Sequence, residues 1–139
     1  MIKYFFLFSL ALLLKEAKSQ DLVLEIEGIK PIKGEVLIAI FNNEEGFPFL
    51  TSKAIQLLKV IPNQEKAQCI VKALPFGRYA IALFHDLNAD SKLNTNLIGI
   101  PKEGYGVSNN AYNTFSAPRY KDALFEHKPN SIQRINMKY

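Results

Sequence analysis

Alternation of apolar and polar residues is the dominant pattern of this chain. At residues 22–27 apolar side chains occupy every second position, which is typical of a strand with one buried face. Residues 78–86 show the strongest strand pattern, and residues 35–41 are apolar on both faces, as in a central strand that is covered on both sides. With weaker segments included, the pattern predicts about seven strands, at residues 22–28, 35–41, 54–61, 66–74, 78–86, 123–127 and 131–139.

The breaks between these strands indicate a sandwich. Pro62-Asn63 is a hairpin-type break between two neighbouring strands, and Pro75-Phe76-Gly77 is a second turn. There is no βαβ alternation and no internal repeat, so we predict an all-β fold, an antiparallel sandwich with Greek-key connections. Within it, alternation over residues 66–74 places Ala67, Cys69, Val71 and Ala73 on the inward face.

One long interval, residues 87–122, has no convincing strand or helix pattern. A compact domain rarely contains so long a structureless loop, so something must organise it. Ser108 and Asn109 are polar side chains in this interval that are able to satisfy backbone groups, and we count them among the candidate binding residues.

An aspartate-rich segment, Asp86–Asn96, begins at the end of the preceding strand and predicts a loop that binds a cation, which we call the cation loop. Oxygen-bearing side chains stand at alternate positions, Asp86, Asn88 and Asp90, and the carbonyl group of Lys92 follows at the seventh position. This spacing is typical of a chain wrapped around Ca²⁺, with Asn94 and Asn96 as further candidate ligands. The alternative is a polar turn without metal, because Asn and Asp favour turns in any case.

The first nineteen residues predict export. A short positive segment, Met1–Lys3, precedes the apolar run Tyr4–Leu14, and Ala17–Ser19 has the small-x-small form of a signal-peptidase site. A membrane anchor needs about 20 apolar residues, and Lys15 ends this run too early. We therefore expect a signal peptide at residues 1–19, one mature domain at residues 20–139 without a membrane span, and a periplasmic or extracellular location.

Charge and cysteine content narrow the function classes. Loss of the signal lowers the formal charge from +4 to +2, and the basic residues are scattered rather than clustered, so nucleic acid is not the expected partner. The single cysteine, Cys69, cannot form an internal disulfide. We expect it to be a buried thiol, and the alternative is a reactive one.

Five segments of the chain resemble a known family. They are Leu74–Asp86, Asn88–Asn94, Gly99–Gly106, Ser108–Asn110 and Pro118. In this order they are similar to the pattern of the bacterial domain-of-unknown-function family 2141, which implies an exported single-domain protein and no particular activity. The turn and strand from Leu74 to Phe84 also resemble those of transthyretin-like (prealbumin-like) sandwiches, which favours an Ig-like or transthyretin-like fold.

The loop differs from the family pattern at positions that should lower its affinity for Ca²⁺. Ser91 stands where a glycine is common, and Asn94 stands where aspartate is frequent, so the loop has one negative charge fewer. Leu97 replaces the bidentate glutamate of an EF-hand, which excludes an ordinary EF-hand. Glu103 is the candidate for the missing carboxylate.

No catalytic pattern is evident. His85 and Asp86 are adjacent, so on a strand their side chains point to opposite faces. Ser108 lacks the second glycine of a nucleophile elbow, and His127 lies on a short strand near the end of the chain. We predict that the protein is not an enzyme. The alternative is a metal-assisted hydrolase that uses His85, Asp86 and Glu103.

The sequence therefore favours a binding or structural module of the cell envelope or extracellular space. A rigid sandwich would present residues 87–122 to a protein, a glycan or a small ligand, because loops on a rigid scaffold commonly carry function. The candidate contact aromatics are Tyr105, Tyr112, Phe115 and Tyr120, whose alternative role is to pack the loop on the sandwich. The full set of candidate binding residues is Glu103, Tyr105, Ser108, Asn109 and Tyr112.

Overall fold

The alternating segments form eight strands within residues 18–139, the part of the chain described by this computed structural model. The predicted signal peptide lies outside the described residues, except for its last two positions. The strands are β1 (Ser19–Glu27), β2 (Glu35–Phe41), β3 (Gln56–Val60), β4 (Lys66–Pro75), β5 (Gly77–Asp86), β6 (Tyr105–Val107), β7 (Phe125–His127) and β8 (Ile132–Asn136). Helix is limited to α1 (Tyr120–Ala123) and two 3₁₀ turns, Thr51–Lys53 and Ser108–Asn110.

The strands form two sheets. The first has the order β4-β1-β8, and the second has the order β3-β2-β5-β6, with β7 also paired to β5. The prediction of an all-β fold with two sheets is confirmed. All pairings within the sheets are antiparallel except that of β1 with β8, which is parallel. The two terminal strands therefore pair as neighbours, and the purely antiparallel prediction was wrong at this position.

The main core lies between the two sheets. Its members are the inward apolar side chains of β1, β4 and β8 on one side and of β2 and β5 on the other, with Leu22, Leu24, Ile38, Ile81 and Ile135 as examples. Burial of this apolar area supplies the main stabilising free energy of such a domain.

A second, smaller core covers the outer face of the larger sheet. Phe41, Ala82 and Val107 belong to it, and Phe47 and Tyr120 pack against it from the loops. The ring of Phe47 lies edge-on to the ring of Phe41, at a centroid distance of 5.4 Å. This double coverage is the reason that β2 is apolar on both faces, as the sequence predicts.

The predicted hairpin at Pro62-Asn63 is wrong. β3 belongs to the larger sheet and β4 to the smaller one, so the chain crosses between the sheets at residues 61–65. Pro62 is buried at this crossing, and the N–H of Ile29 donates to the carbonyl of Glu65 at 2.9 Å. Alternation along each strand is the same whether the two strands pair or face each other, so the sequence pattern does not distinguish these topologies.

A bulge in β4 changes the predicted inward face. The register with β1 shifts between Gln20 and Leu22, so Leu74 points inward and Ala73, with φ +48°, is exposed. The carboxylate of Asp21 accepts hydrogen bonds from the backbone N–H of Ala73 at 2.9 Å and from Lys72 Nζ at 2.8 Å. Cys69 does face the core but is only half-buried, and burial raises the pKa of its thiol.

Residues 87–122 are not structureless. They contain β6, a 3₁₀ turn and the start of α1, and Tyr105 also pairs with Lys138 through two backbone hydrogen bonds of 2.9 and 2.8 Å. β6 has only three residues, and Gly106 at its centre interrupts the apolar pattern by which a strand is predicted. Within residues 18–139, no helix has the length and apolar character that crossing a membrane requires.

Candidate cation site and adjoining cleft

Asp86 is the buried end of the cation loop. It is the last residue of β5, and its side chain is only 1% exposed. Gly34, with φ +72°, packs so closely on the Asp86 carbonyl oxygen that a Cβ at this position would collide with it. One carboxylate oxygen of Asp86 accepts a hydrogen bond from the N–H of Ser91 at 2.8 Å. The other, Oδ1, is buried without a hydrogen-bond partner in the described part of the chain. A buried, uncompensated carboxylate oxygen is unfavourable, so this position favours a positive ligand.

Glu103 closes the loop from the other side. Its side chain is 6% exposed, and its two oxygens accept hydrogen bonds from the N–H groups of Leu87 at 3.0 Å and Asn94 at 3.1 Å. A single carboxylate therefore holds both ends of the loop. The sequence identified Glu103 as a candidate, but its position beside the loop depends on the fold of residues 95–102.

Asp90 is the exposed member of the group. Its oxygens accept hydrogen bonds from the Lys92 N–H at 2.9 Å and from the side-chain amides of Asn88 at 3.2 Å and Asn94 at 2.8 Å. The hydrogen bond from Asn94 is the largest cause that lowers the pKa of Asp90, followed by that from the Lys92 backbone. Carboxylate oxygens of Asp86, Asp90 and Glu103 all lie within 4.8 Å of one another.

The other predicted ligands differ in their positions. Asn88 and Asn94 direct side-chain NH₂ groups at Asp90, and a half-turn of each amide would present its oxygen instead. The backbone carbonyl of Lys92 follows in the same loop. Asn96 does not join the group, because its side-chain oxygen accepts hydrogen bonds from the N–H groups of Ile98 and Ile100 and closes the next turn.

The loop backbone has the sharp bends of a wrapped segment. Ala89 and Ser91 have φ values of +60° and +59°, in the left-handed region that favours glycine. In the family that the sequence resembles, glycine is common at the position of Ser91. The left-handed φ of Ser91 gives the physical reason for this preference for glycine.

The candidate binding residues near β6 serve mainly to hold the backbone. Ser108 is fully buried, donates to the Ala123 carbonyl at 2.5 Å and accepts from the Ile81 N–H at 2.9 Å. Asn109 donates to the carbonyls of Asp122 and Leu124. Tyr112 donates to the Asn136 carbonyl, and burial raises the pKa of Tyr112 to about 12. The side chains of Ser108, Asn109 and Tyr112 are thus engaged with backbone groups, and none of the three lines the cleft described below.

His85 is separated from the carboxylates. By strand alternation its side chain lies on the face of β5 opposite to that of Asp86. Its Nε2 lies 2.6 Å from the Lys33 carbonyl oxygen, which only accepts, and its Nδ1 lies 2.8 Å from the Tyr139 hydroxyl oxygen. His127 Nε2 likewise lies 2.9 Å from the Gln20 carbonyl oxygen. Both histidines hold distant backbone segments together.

A cleft of about 820 Å³ adjoins the cation loop and was not predicted from the sequence. Its floor is the outer face of the larger sheet, where the side chains of Ala39 and Ala82 are small. Gly106 contributes only backbone to this floor, because its side-chain position points into the main core. One wall consists of loop residues between 91 and 101, and the other walls are residues 48–51 and 114–118. Ala80 and Ala82 alternate in β5 with the large inward residues Tyr79, Ile81 and Leu83, and this is the sequence signal that could have indicated the depression. Of the candidate binding residues and contact aromatics, Tyr105 and Phe115 line the cleft.

The fold and site define a two-sheet β domain in which a polar, carboxylate-rich loop forms part of the wall of an apolar cleft. Residues 24–134 match the model of a family described as an uncharacterized protein conserved in bacteria (DUF2141), and the chain therefore belongs to this family. Neither the curated proteins nor the solved structures contain a match to this chain.

Proposed function

We propose that this protein is an exported, non-catalytic binding or structural module whose cation loop is stabilised by weakly bound Ca²⁺. One observation carries the cation proposal: the buried, unpartnered Oδ1 of Asp86 belongs to a carboxylate that lies within 4.8 Å of those of Asp90 and Glu103. Three clustered carboxylates repel one another unless a cation lies between them. Ca²⁺ accepts six to eight oxygens in flexible geometry, which suits this irregular group.

The ligand set follows from the hydrogen bonds already present. Asp86, Asp90 and Glu103 supply charge, and the Lys92 carbonyl supplies a neutral oxygen. Without an ion, the NH₂ groups of Asn88 and Asn94 offset the charge of Asp90. Rotation of these amides would replace the two donors with two oxygen ligands. Because Asn96 is engaged in the next turn, we leave it out of the ligand set.

The test is thermal melting of residues 20–139 in chelator and in Ca²⁺. With three carboxylates we expect a weak site, with a dissociation constant on the order of 10⁻⁴ to 10⁻³ M. At 10 mM Ca²⁺ the free energy of unfolding should then rise by about 1.4–2.7 kcal/mol, which corresponds to several degrees. Mg²⁺ should have less effect, since it prefers a smaller octahedral shell.

Matched variants localise the effect. Asp90→Asn should abolish the Ca²⁺ response and leave the protein folded, because Asp90 is exposed. Glu126→Gln removes the same charge from an exposed position on β7 and should keep the full response. The cation site would be rejected if the melting curves in Ca²⁺ and in chelator were identical. It would also be rejected if Asp90→Asn and Glu126→Gln reduced the Ca²⁺ response equally.

The non-catalytic assignment is supported by how the potential catalytic groups are used. The two ring nitrogens of His85, the hydroxyl of Ser108 and Nε2 of His127 all contact groups that hold the fold. A metal-assisted hydrolase built on His85, Asp86 and Glu103 would need these side chains on one face, and His85 lies on the other.

The proposed export and sandwich class rest on separate observations. Ser19 begins β1, and the carbonyl and side chain of the next residue, Gln20, contact His127 and Asn130. Cleavage after Ser19 would remove only the first residue of β1 and the hydrogen bond from the Phe76 N–H to the Lys18 carbonyl, and it would keep the contacts of Gln20. Intact-mass measurement of exported protein should find Gln20 or Asp21 first. The two mostly antiparallel sheets support an Ig-like or transthyretin-like sandwich, which an experimental structure would test by its strand connections.

A further inference from the structure

The cleft beside the cation loop has the size and lining of a small-ligand site. Its volume of about 820 Å³ lies within the range of about 300–1,000 Å³ that is usual for such sites. Four apolar side chains of its lining, Phe49, Ile98, Ile100 and Phe115, are more than half exposed to solvent. An apolar ligand in the cleft would remove this surface from water, which is favourable in proportion to the area covered.

The floor favours a hydrocarbon chain over a peptide. Ala39 pairs with Ala82, and Ala82 pairs with Val107, within the antiparallel register of β2, β5 and β6. The backbone N–H and C=O groups of these strands are therefore used inside the sheet. A peptide laid on this floor would bring polar backbone groups that need partners, whereas a hydrocarbon chain needs none.

The charge of the lining indicates the head group. Lys92 is the one charged residue among the lining residues, which contain no carboxylate. None of the six salt bridges within residues 18–139 involves Lys92. It interacts with Asp90 only at longer range. An anionic head group at the mouth of the cleft would therefore find a complementary charge.

We propose that this cleft binds a single-chain amphiphile with an anionic head group, with the chemistry of a fatty acid. The hydrocarbon chain lies over Ala39, Ala82 and Gly106, and the head group lies at Lys92. This inference rests on the proposed binding function and names its ligand class.

The experiment is calorimetric titration of decanoate into residues 20–139 in chelator, below the concentration at which decanoate aggregates. We expect saturable binding of one decanoate per chain. Hexanoate should bind at least tenfold more weakly because it buries four fewer methylene groups. Decyltrimethylammonium, which has the same chain length and a positive head group, should bind at least threefold more weakly.

Two pairs of matched variants localise the binding. Ile98→Ser should weaken decanoate binding at least threefold, whereas Leu97→Ser should not, because Leu97 is also highly exposed but does not line the cleft. Lys92→Gln should weaken binding about threefold to fivefold, the effect of one exposed ion pair. Lys102→Gln removes an exposed lysine outside the lining and should have no effect.

Three results would overturn the proposal: no saturable binding of decanoate, equal weakening by Leu97→Ser and Ile98→Ser, or equal affinity for the cationic amphiphile. Chelator makes this outcome independent of the cation site. If the protein binds decanoate but its melting does not respond to Ca²⁺, the cation site is rejected and the amphiphile site stands. If it responds to Ca²⁺ but does not bind decanoate, the amphiphile site is rejected and the cation site stands.

Discussion

The carboxylate of Glu103 lies within 4.8 Å of the carboxylate of Asp86, although Asp86 ends a central strand and Glu103 belongs to a later loop. Both side chains are buried. Glu103 is satisfied by two backbone N–H groups, whereas Asp86 has one oxygen without a partner. Asp86 is therefore the member of this pair whose burial is uncompensated, and under the proposed function a bound cation would offset this cost.

The first prediction is that Asp86→Asn stabilises the metal-free protein. Asparagine keeps an acceptor for the Ser91 N–H, removes a buried negative charge and places an NH₂ group near the remaining carboxylates. We expect the free energy of unfolding in chelator to rise by about 1 kcal/mol, measured by urea denaturation. The response to Ca²⁺ should disappear. A less stable variant in chelator would show that the charge of Asp86 is already compensated without an ion.

The second prediction concerns the bend at Ser91. A left-handed φ costs a residue with a side chain about 1 kcal/mol, and the greater chain entropy of glycine in the unfolded state offsets part of this. Ser91→Gly should therefore stabilise the protein by about 0.5 kcal/mol. Ser91→Ala, which keeps a Cβ, is the matched control and should bring no gain. Equal unfolding midpoints in urea for Ser91→Gly and Ser91→Ala would show that the left-handed φ at this position does not cost stability.

The third prediction tests the link between His85 and the chain end. The Tyr139 hydroxyl oxygen lies 2.8 Å from His85 Nδ1 and accepts from the Lys30 N–H at 2.9 Å. Tyr139→Phe leaves both groups without this partner and should lower the free energy of unfolding by about 1–3 kcal/mol. Tyr120→Phe is the control, because the Tyr120 hydroxyl makes no hydrogen bond within residues 18–139, and its effect should be small. Equal losses of unfolding free energy in Tyr139→Phe and Tyr120→Phe would show that the contact between Tyr139 and His85 does not stabilise the fold.

The fourth prediction is an alkaline loss of stability that depends on Tyr112. Burial raises the pKa of Tyr112 to about 12 from 10.0, so between pH 10 and 12 the folded state binds more protons than the unfolded state. This contribution is fully present below pH 10 and is lost as the pH rises through the folded pKa. Tyr112→Phe should therefore show a shallower decline in urea-measured stability between pH 9 and pH 11. An unchanged decline would show that Tyr112 titrates normally.

The sequence predicted the larger elements well because their signal is local. Alternation at residues 22–27 and 78–86 located β1 and β5, and the apolar run at 35–41 identified β2 as a strand covered on both faces. It could not predict β6, which has only three residues and is held by pairing with β5 and with Lys138. It also assigned β3 and β4 to one hairpin, because alternation does not indicate which sheet a strand joins.

Only the local part of the candidate site was predictable from the sequence. The spacing of Asp86, Asn88 and Asp90 located the loop, and family resemblance indicated the unusual position of Ser91. Asn96 has an equally suitable side chain in the sequence, yet two backbone N–H groups in the next turn engage it. Tyr112 was a candidate contact residue, but its hydroxyl holds the backbone of β8.

By itself, the sequence determined the all-β class, the principal strands and the alternating oxygens of the cation loop, because each of these follows from residues that are neighbours in the chain. The tertiary structure alone decided that β1 and β8 pair in parallel, that Glu103 joins Asp86, and that Ala39, Ala82 and Gly106 form the floor of a cleft. These relationships join residues that are distant in the chain, and they depend on which surfaces pack together once the apolar faces leave water.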